Sequence, residues 1–254
     1  MQLIILGSGT SVPHPRRAAA AHWLATESGN VLLDMGPDTG HRMAEENLDW
    51  INIDAIWISH FHLDHVGGVA PFLFGTRAAP ETQQRRKPLK IIGGKGLQSL
   101  LVAMNDSNNY RLFEQPFNVD VVEVESGNEL EILPGLNAGV LSTPHTKESL
   151  AIRLTDKNGT VLVYTSDTGY SEELIAFAKG AHVLLMECSF IRNKPVKTHL
   201  ELEDAMRLAQ HCQPRKLVLS HLYAEWDGTD VAAEARKLWP SETVEAYDGL
   251  RVEF

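Results

Sequence analysis

Apolar positions in this chain fall into two rhythms. Short apolar stretches, many of them β-branched, read as strands at Leu3–Leu6, Ala20–Ala25, Val31–Asp34, Ala55–Ser59, Leu89–Ile92, Val119–Val124, Leu130–Leu133 and Leu136–Ser142. Further strands are predicted at Leu150–Thr155, Val161–Thr165, Ala181–Glu187, Lys216–Ser220, Val244–Tyr247 and Arg251–Phe254. Helices are predicted over Asp38–Asn47, Val66–Phe74, Lys95–Asn105, Ser171–Lys179, Glu201–Cys212 and Thr229–Trp239. Polar turns such as Glu27-Ser28-Gly29-Asn30 and Lys157-Asn158-Gly159 mark hairpins. The first half is strand-rich and the second alternates strand with helix. That mixture predicts an α/β (α+β) fold of two sheets packed face to face with helices outside. The last residues, Tyr247 to Phe254, read as a closing hairpin.

Composition narrows the class without naming a function. With 254 residues and 43% apolar side chains, the chain can bury a substantial core. We expect one domain over 1–254. No apolar run approaches the roughly 20 residues of a membrane span. The start, Met1 to Gly7, reads as a strand and lacks the basic flank of a signal peptide. Cys188 and Cys212 make no disulfide framework, so a cytoplasmic protein is expected. A net charge of −10 argues against broad nucleic-acid affinity, which needs clustered Lys and Arg.

The densest chemistry runs from Ser59 to Gly68, Ser-His-Phe-His-Leu-Asp-His-Val-Gly-Gly. It follows the apolar run Ile53–Ile58, a buried strand, and precedes a helix. In an extended segment alternate side chains point the same way, so His60 and His62 can reach one ion together. Asp64 and His65 follow where the chain bends, and can face a second. Four ligands close a structural site, whereas a hydrolytic site keeps positions open for water and substrate. Two ions sharing this loop with later residues meet that need. The alternative is a His-rich surface loop without metal.

His-Phe-His-Leu-Asp-His resembles the signature of the metallo-β-lactamase fold hydrolases. The family pattern continues with a lone His, a bridging Asp and a last His, each at a strand end. His145, Asp167 and His221 stand in that order, so the resemblance spans nearly the whole chain. It implies a four-layer αββα sandwich of two mixed sheets. It also implies that His60, His62 and His145 hold one divalent ion and Asp64, His65 and His221 the other, with Asp167 between. Zinc is expected, and manganese or iron suit the same ligands. A hydroxide bridging two such ions would be the nucleophile, and Asp64 could take the proton from the attacking water.

Glu187-Cys188-Ser189-Phe190 followed by His199 resembles ribonuclease Z and related phosphodiesterases, in which that His protonates the leaving oxygen. Thr198 and Glu201 also form a capping-box pattern. An Asp at the place of Asp34 braces the metal loop in this family; it could equally cap the next helix. β-Lactamases of this fold carry a Cys near the bridging Asp, and here no Cys occurs before Cys188. Long-form ribonuclease Z inserts a transfer-RNA-gripping arm between the lone His and the bridging Asp. Here only 22 positions separate His145 from Asp167. A dinuclear phosphodiesterase acting on a small anionic substrate, cyclic diesters included, is therefore expected. A transfer-RNA 3′ endonuclease of the ribonuclease Z type is one alternative. A carbonyl or sulfate ester hydrolase (thioesterase, lactonase, arylsulfatase) is the other. No membrane partner is expected, and a homodimer is left open.

Three stretches stay unassigned. Gly7 to Ser11 is a glycine-containing turn before Arg16 and Arg17, which read as solvated charges; the resemblance to phosphodiesterases implies a place at the site rim, where either could contact a phosphate. Arg85-Arg86-Lys87 reads as an exposed loop. Asp106 to Phe117 mixes polar and aromatic residues and suits a substrate-facing loop. His14, His22, His41, His182 and His211 follow no pattern.

Overall fold

The computed structural model describes residues Met1 to Phe254. The first sheet is built from β1 (Gln2–Gly7), β2 (Ala21–Thr26), β3 (Gly29–Leu33), β4 (Ala55–Ile58), β5 (Leu89–Gly94) and β6 (Val119–Val124). The second contains β7 (Glu129–Leu133), β8 (Leu136–Ser142), β9 (Leu150–Asp156), β10 (Val161–Tyr164), β11 (Val183–Glu187), β12 (Lys216–Ser220) and β13 (Thr243–Glu245). The final strand, β14 (Arg251–Glu253), returns to the first sheet and pairs with β1. The helices are α1 (Thr39–Glu45), α2 (Leu63–Val66), α3 (Val69–Thr76), α4 (Leu97–Asp106), α5 (Glu173–Ala178), α6 (Leu202–Cys212) and α7 (Val231–Leu238).

Both sheets have seven strands, in the orders β14-β1-β2-β3-β4-β5-β6 and β13-β12-β11-β10-β9-β8-β7. In the first, β14 to β3 pair antiparallel. From β3 to β6 the pairing is parallel. The second repeats the plan, antiparallel from β7 to β10 and parallel from β10 to β13.

Alternation along each strand builds the layers. On β4, Ala55 and Trp57 face the core between the sheets, and Ile56 and Ile58 face the outer helices. On β11, Val183 and Leu185 point inward, and Leu184 and Met186 point outward. Strands buried on both faces read as unbroken apolar runs, which is why they were visible in the sequence. Helices α1, α3 and α4 cover the first sheet, and α5, α6 and α7 cover the second. Along α6 the buried positions Leu202, Ala205, Met206, Ala209 and Cys212 follow the three-to-four spacing of one helix face. The expected αββα sandwich is the fold observed, and no helix is long and apolar enough to cross a membrane.

Three expectations are corrected. The carboxyl end is no hairpin: β13 adds to β12 in one sheet and β14 to β1 in the other. Each pairs with the outer strand of an existing sheet and becomes its new edge, which stabilises it more than a lone two-stranded hairpin would. The helix predicted over Val66–Phe74 is two helices, α2 and α3, broken at Gly67-Gly68. A Cβ on Gly68 would lie 2.3 Å from the Gly36 carbonyl oxygen, so the break is where two backbones press together. Arg85 is not a solvated charge. It is 5% exposed, donates to the carbonyls of Ile51, Ile53, Lys87 and Pro88, and stacks on Phe117. The Asp106–Phe117 stretch packs onto α3: Tyr110 meets Phe74 edge-on, and Gln115 donates to Leu73 O.

Candidate metal centre

The site lies beyond the carboxyl ends of the central strands, where crevices form in sheets of this kind. His60 and His62 follow β4, and Asp64 and His65 stand on α2. His62 keeps an extended backbone (φ −64°, ψ 145°) just before that helix turns. His145 follows β8, Asp167 follows β10, and His221 follows β12. The structure brings all seven predicted residues into two groups that share Asp167.

In the first group His62 Nδ1 lies 3.1 Å from His60 Nε2 and 3.0 Å from His145 Nε2. Asp167 Oδ2 is 3.8 Å from His60 Nε2 and 3.6 Å from His145 Nε2. In the second, His65 Nε2 and His221 Nε2 each lie 3.3 Å from Asp167 Oδ1. Asp64 Oδ2 stands 3.6 Å from His65 Nε2 and 3.4 Å from His221 Nε2. Each Asp167 oxygen thus faces one group.

These side chains fit divalent ions. Ligand atoms about 2.0–2.1 Å from one tetrahedral ion stand roughly 3.4 Å apart, close to the spacings here. His65 Nε2 and Asp167 Oδ1 are buried without any hydrogen-bond partner, an arrangement that is costly unless something else satisfies them.

On four of the five histidines the remaining ring nitrogen is tied down, which fixes the ring. His60 Nδ1 is 3.1 Å from Ser59 Oγ, and His145 Nδ1 donates to Thr198 O at 2.9 Å. His221 Nδ1 meets Ser189 Oγ at 3.0 Å, and His65 Nδ1 meets Asp34 Oδ2 at 2.7 Å. Asp34 is a brace and not a helix cap. It accepts from Ser59 N, Ser59 Oγ and, across the sandwich, the Tyr164 hydroxyl at 2.7 Å. Asp34, Ser166 and His221 all adopt left-handed backbone (φ 60°, 54° and 58°). Such strain gathers where a site dictates the backbone.

Electrostatics follow from this packing. Burial penalises the charged form of Asp167, yet the rings of His221 and His65 hold its carboxyl well below the usual range. Burial also opposes a proton on His65, but Asp167 and Asp34 together raise its pKa. His60 is lowered by burial and by His65.

His199 also reaches the centre. Its ring stacks on His221 with centroids 5.5 Å apart and meets His145 edge-on at 4.8 Å. Its Nδ1 lies 3.0 Å from Glu187 Oε1. Burial lowers its affinity for a proton, but Glu187 outweighs burial and raises the pKa. The expected capping box does not form. The α6 helix starts at Leu202, Glu201 makes no side-chain cap, and its carboxylate accepts Lys194 N instead. Sequence reading passed over Glu187 as a functional group. Its signal was an acid at the end of an apolar strand, where a buried carboxylate needs partners: Thr168 N, Ser189 Oγ, His199 and Leu200 N supply them.

Fold and centre together define a metallo-hydrolase of the metallo-β-lactamase fold. Within that class the chain belongs to the family described as "Anti-Pycsar protein Apyc1", whose model matches residues 1–240. It is 27% identical to a ribonuclease Z of Ignicoccus hospitalis, with 94% of each chain covered. It is 24% identical to the probable metallo-hydrolase YhfI of Bacillus subtilis over 98% of each. Among solved structures, YhfI superposes with a TM-score of 0.84 at 20% identity, covering 99% of both chains. The short form of human tRNase Z gives 0.78 at 19% identity, covering 100% of this chain and 99% of that one.

Proposed function

We propose that the protein is a dinuclear phosphodiesterase acting on small phosphodiesters, cyclic ones included. The observation that carries this reading is Asp167, whose two oxygens face separate groups of ligand-type atoms. His60, His62 and His145 would hold one ion, Asp64, His65 and His221 the other, and Asp167 both. The imidazole-rich donor set favours Zn²⁺ over harder cations. Ions held by these residues would supply an activated water, its pKa brought from 15.7 to roughly 7, and a counter-charge for the phosphoryl oxygens.

The chain's own groups supply the proton movements. Glu187 accepts from His199 Nδ1 at 3.0 Å and fixes the ring. The other nitrogen, Nε2, is then free to hand a proton to the leaving oxygen. Asp64 takes the proton released by the attacking water. Both groups draw on both sheets, which supports reading 1–254 as one domain. Buried, unpaired Cys188 and Cys212 suit a reducing, cytoplasmic setting.

Small substrates are favoured over transfer RNA for two reasons. The His145–Asp167 interval is filled by β9, a turn and β10, leaving no protruding arm, and the chain carries a net charge of −10. The test is a panel of cyclic and linear diesters beside a precursor transfer RNA at low salt, with and without chelator. Chelator-sensitive turnover of the small diesters is expected. Efficient single-site cutting at the 3′ trailer would overturn the substrate preference.

A further inference from the structure

A cavity of about 470 Å³ opens beside Asp64, and the chemistry above leaves it unused. Its walls come from the loop after β1, the turn before α1 and the start of α2. Thr10, Val12, His14 and Arg17 stand on one side and Leu63 and Asp38 on the other. Since Asp64 belongs to its wall, the cavity adjoins the second ligand group.

The charges of this cavity are spent internally. Arg17 donates to Asp227 at 2.8 Å and lies 3.8 Å from Glu245, and His14 Nε2 meets Asp227 Oδ2 at 2.9 Å. Arg16, 69% exposed at its side chain, also turns its guanidinium to Asp227, at 3.2 Å. Asp38 adds negative charge to the lining, while the charge of Asp64 would be offset by the ion it holds. No free cation therefore faces the space, and a second phosphate placed there would meet like charge. Meanwhile Leu63 and Val12 are large apolar side chains left 69% and 49% exposed on its walls. The Thr10 hydroxyl accepts Val12 N at 3.2 Å and keeps its own hydrogen to donate.

We propose that this cavity is the subsite for the uncharged organic group carried by the diester: a ring or short chain, partly apolar, with a hydrogen-bonding edge. It selects against substrates bearing a second phosphate on that group. The proposal rests on the phosphodiesterase reading and adds where specificity is set. Pockets of 300–1,000 Å³ that pair apolar walls with a few polar groups commonly hold ligands of this kind.

The test uses the metal-loaded protein and three p-nitrophenyl diesters with the same leaving group. Their second arms are methyl, phenyl, and an alkyl chain ending in phosphate. We expect kcat/KM for the phenyl arm to exceed that for the phosphate-ended arm. Val12→Ser should cut the phenyl-to-methyl ratio about tenfold, the scale of a lost apolar contact in a specificity pocket. Val12→Lys, which puts a free cation into the cavity, should raise turnover of the phosphate-ended arm relative to phenyl. Position 12 lies on an exposed loop, and thermal unfolding verifies that both variants fold. Turnover of all three diesters with ratios unmoved by either variant overturns the subsite alone. Turnover of none of them overturns the phosphodiesterase reading with it.

Discussion

The two sheets share one plan, three antiparallel pairings followed by three parallel ones. They supply the centre in opposite ways. The first half contributes His60, His62, Asp64 and His65 from one short segment, the loop after β4 and the first turn of α2. The second contributes His145, Asp167 and His221 from the ends of three strands, with His199 beside them. Dense ligands on one loop cost little chain ordering beyond that loop. The dispersed set depends on parallel register, Leu162 beside Val183 and Val183 beside Lys216. Each ligand group nevertheless takes two residues from the loop, one His from the other half, and Asp167. Neither half completes a group by itself.

Substitutions can break this comparison in graded steps. Asp167→Ala touches both groups and should have the largest effect. Metal content should fall for both ions, and kcat/KM should drop by more than the 10–100-fold typical of an outer partner. Retention of both ions would show that Asp167 is not shared. His199→Ala should lower kcat by roughly 10²–10⁴-fold, the usual worth of a general acid, while metal analysis finds the wild-type content. A variant that keeps full kcat on an alkyl leaving group would remove His199 from the chemistry.

Asp34→Asn weakens the brace on the loop-borne ligands and should reduce metal affinity about 10–100-fold. Tyr164→Phe, which deletes the one bond reaching Asp34 from the second sheet, should do the same more mildly. The d–d spectrum of the cobalt-substituted protein reads the change at His65 directly; an unaltered spectrum in both variants would mean that the cross-sheet bond does not orient the ligand.

The smallest effect concerns stability. His22 lies on β2, fully buried and edge-on to Tyr164 at 5.1 Å. Burial, helped by His65 and His221, lowers its pKa from 6.5 to about 3. The folded chain therefore refuses a proton that the unfolded chain accepts once pH drops below 6.5. Stability is complete above that pH and is lost on the way down to about 3. By pH 5 the loss from this residue is about 2 kcal/mol. His22→Phe should flatten urea-unfolding stability between pH 7 and pH 5 relative to wild type; parallel curves would contradict it.

What the sequence made legible follows the same division. The His60–His65 loop could be read because its spacing encodes its geometry. His145, Asp167 and His221 were found only through the family pattern they resemble, and their meeting rests on strand register that local pattern does not carry. The brace by Asp34 was left open because a cap and a brace use the same residue type; only the Tyr164 hydroxyl and Ser59 show which it is. Glu187 stayed hidden because its partners, Thr168, Ser189, His199 and Leu200, lie on three separate segments. The carboxyl end looked like a hairpin because β13 and β14 are adjacent in sequence, and only the closed sandwich sends them to different sheets. Arg85 looked solvated because nothing local announces four carbonyls converging on one guanidinium.

Counting ions tests the central claim most directly. Native mass spectrometry of the purified protein, beside His221→Ala, should find two divalent ions per chain in the wild type and one in the variant, with the remaining ion held by His60, His62 and His145. One ion or none in the wild type, or an unchanged count in His221→Ala, would contradict the shared centre.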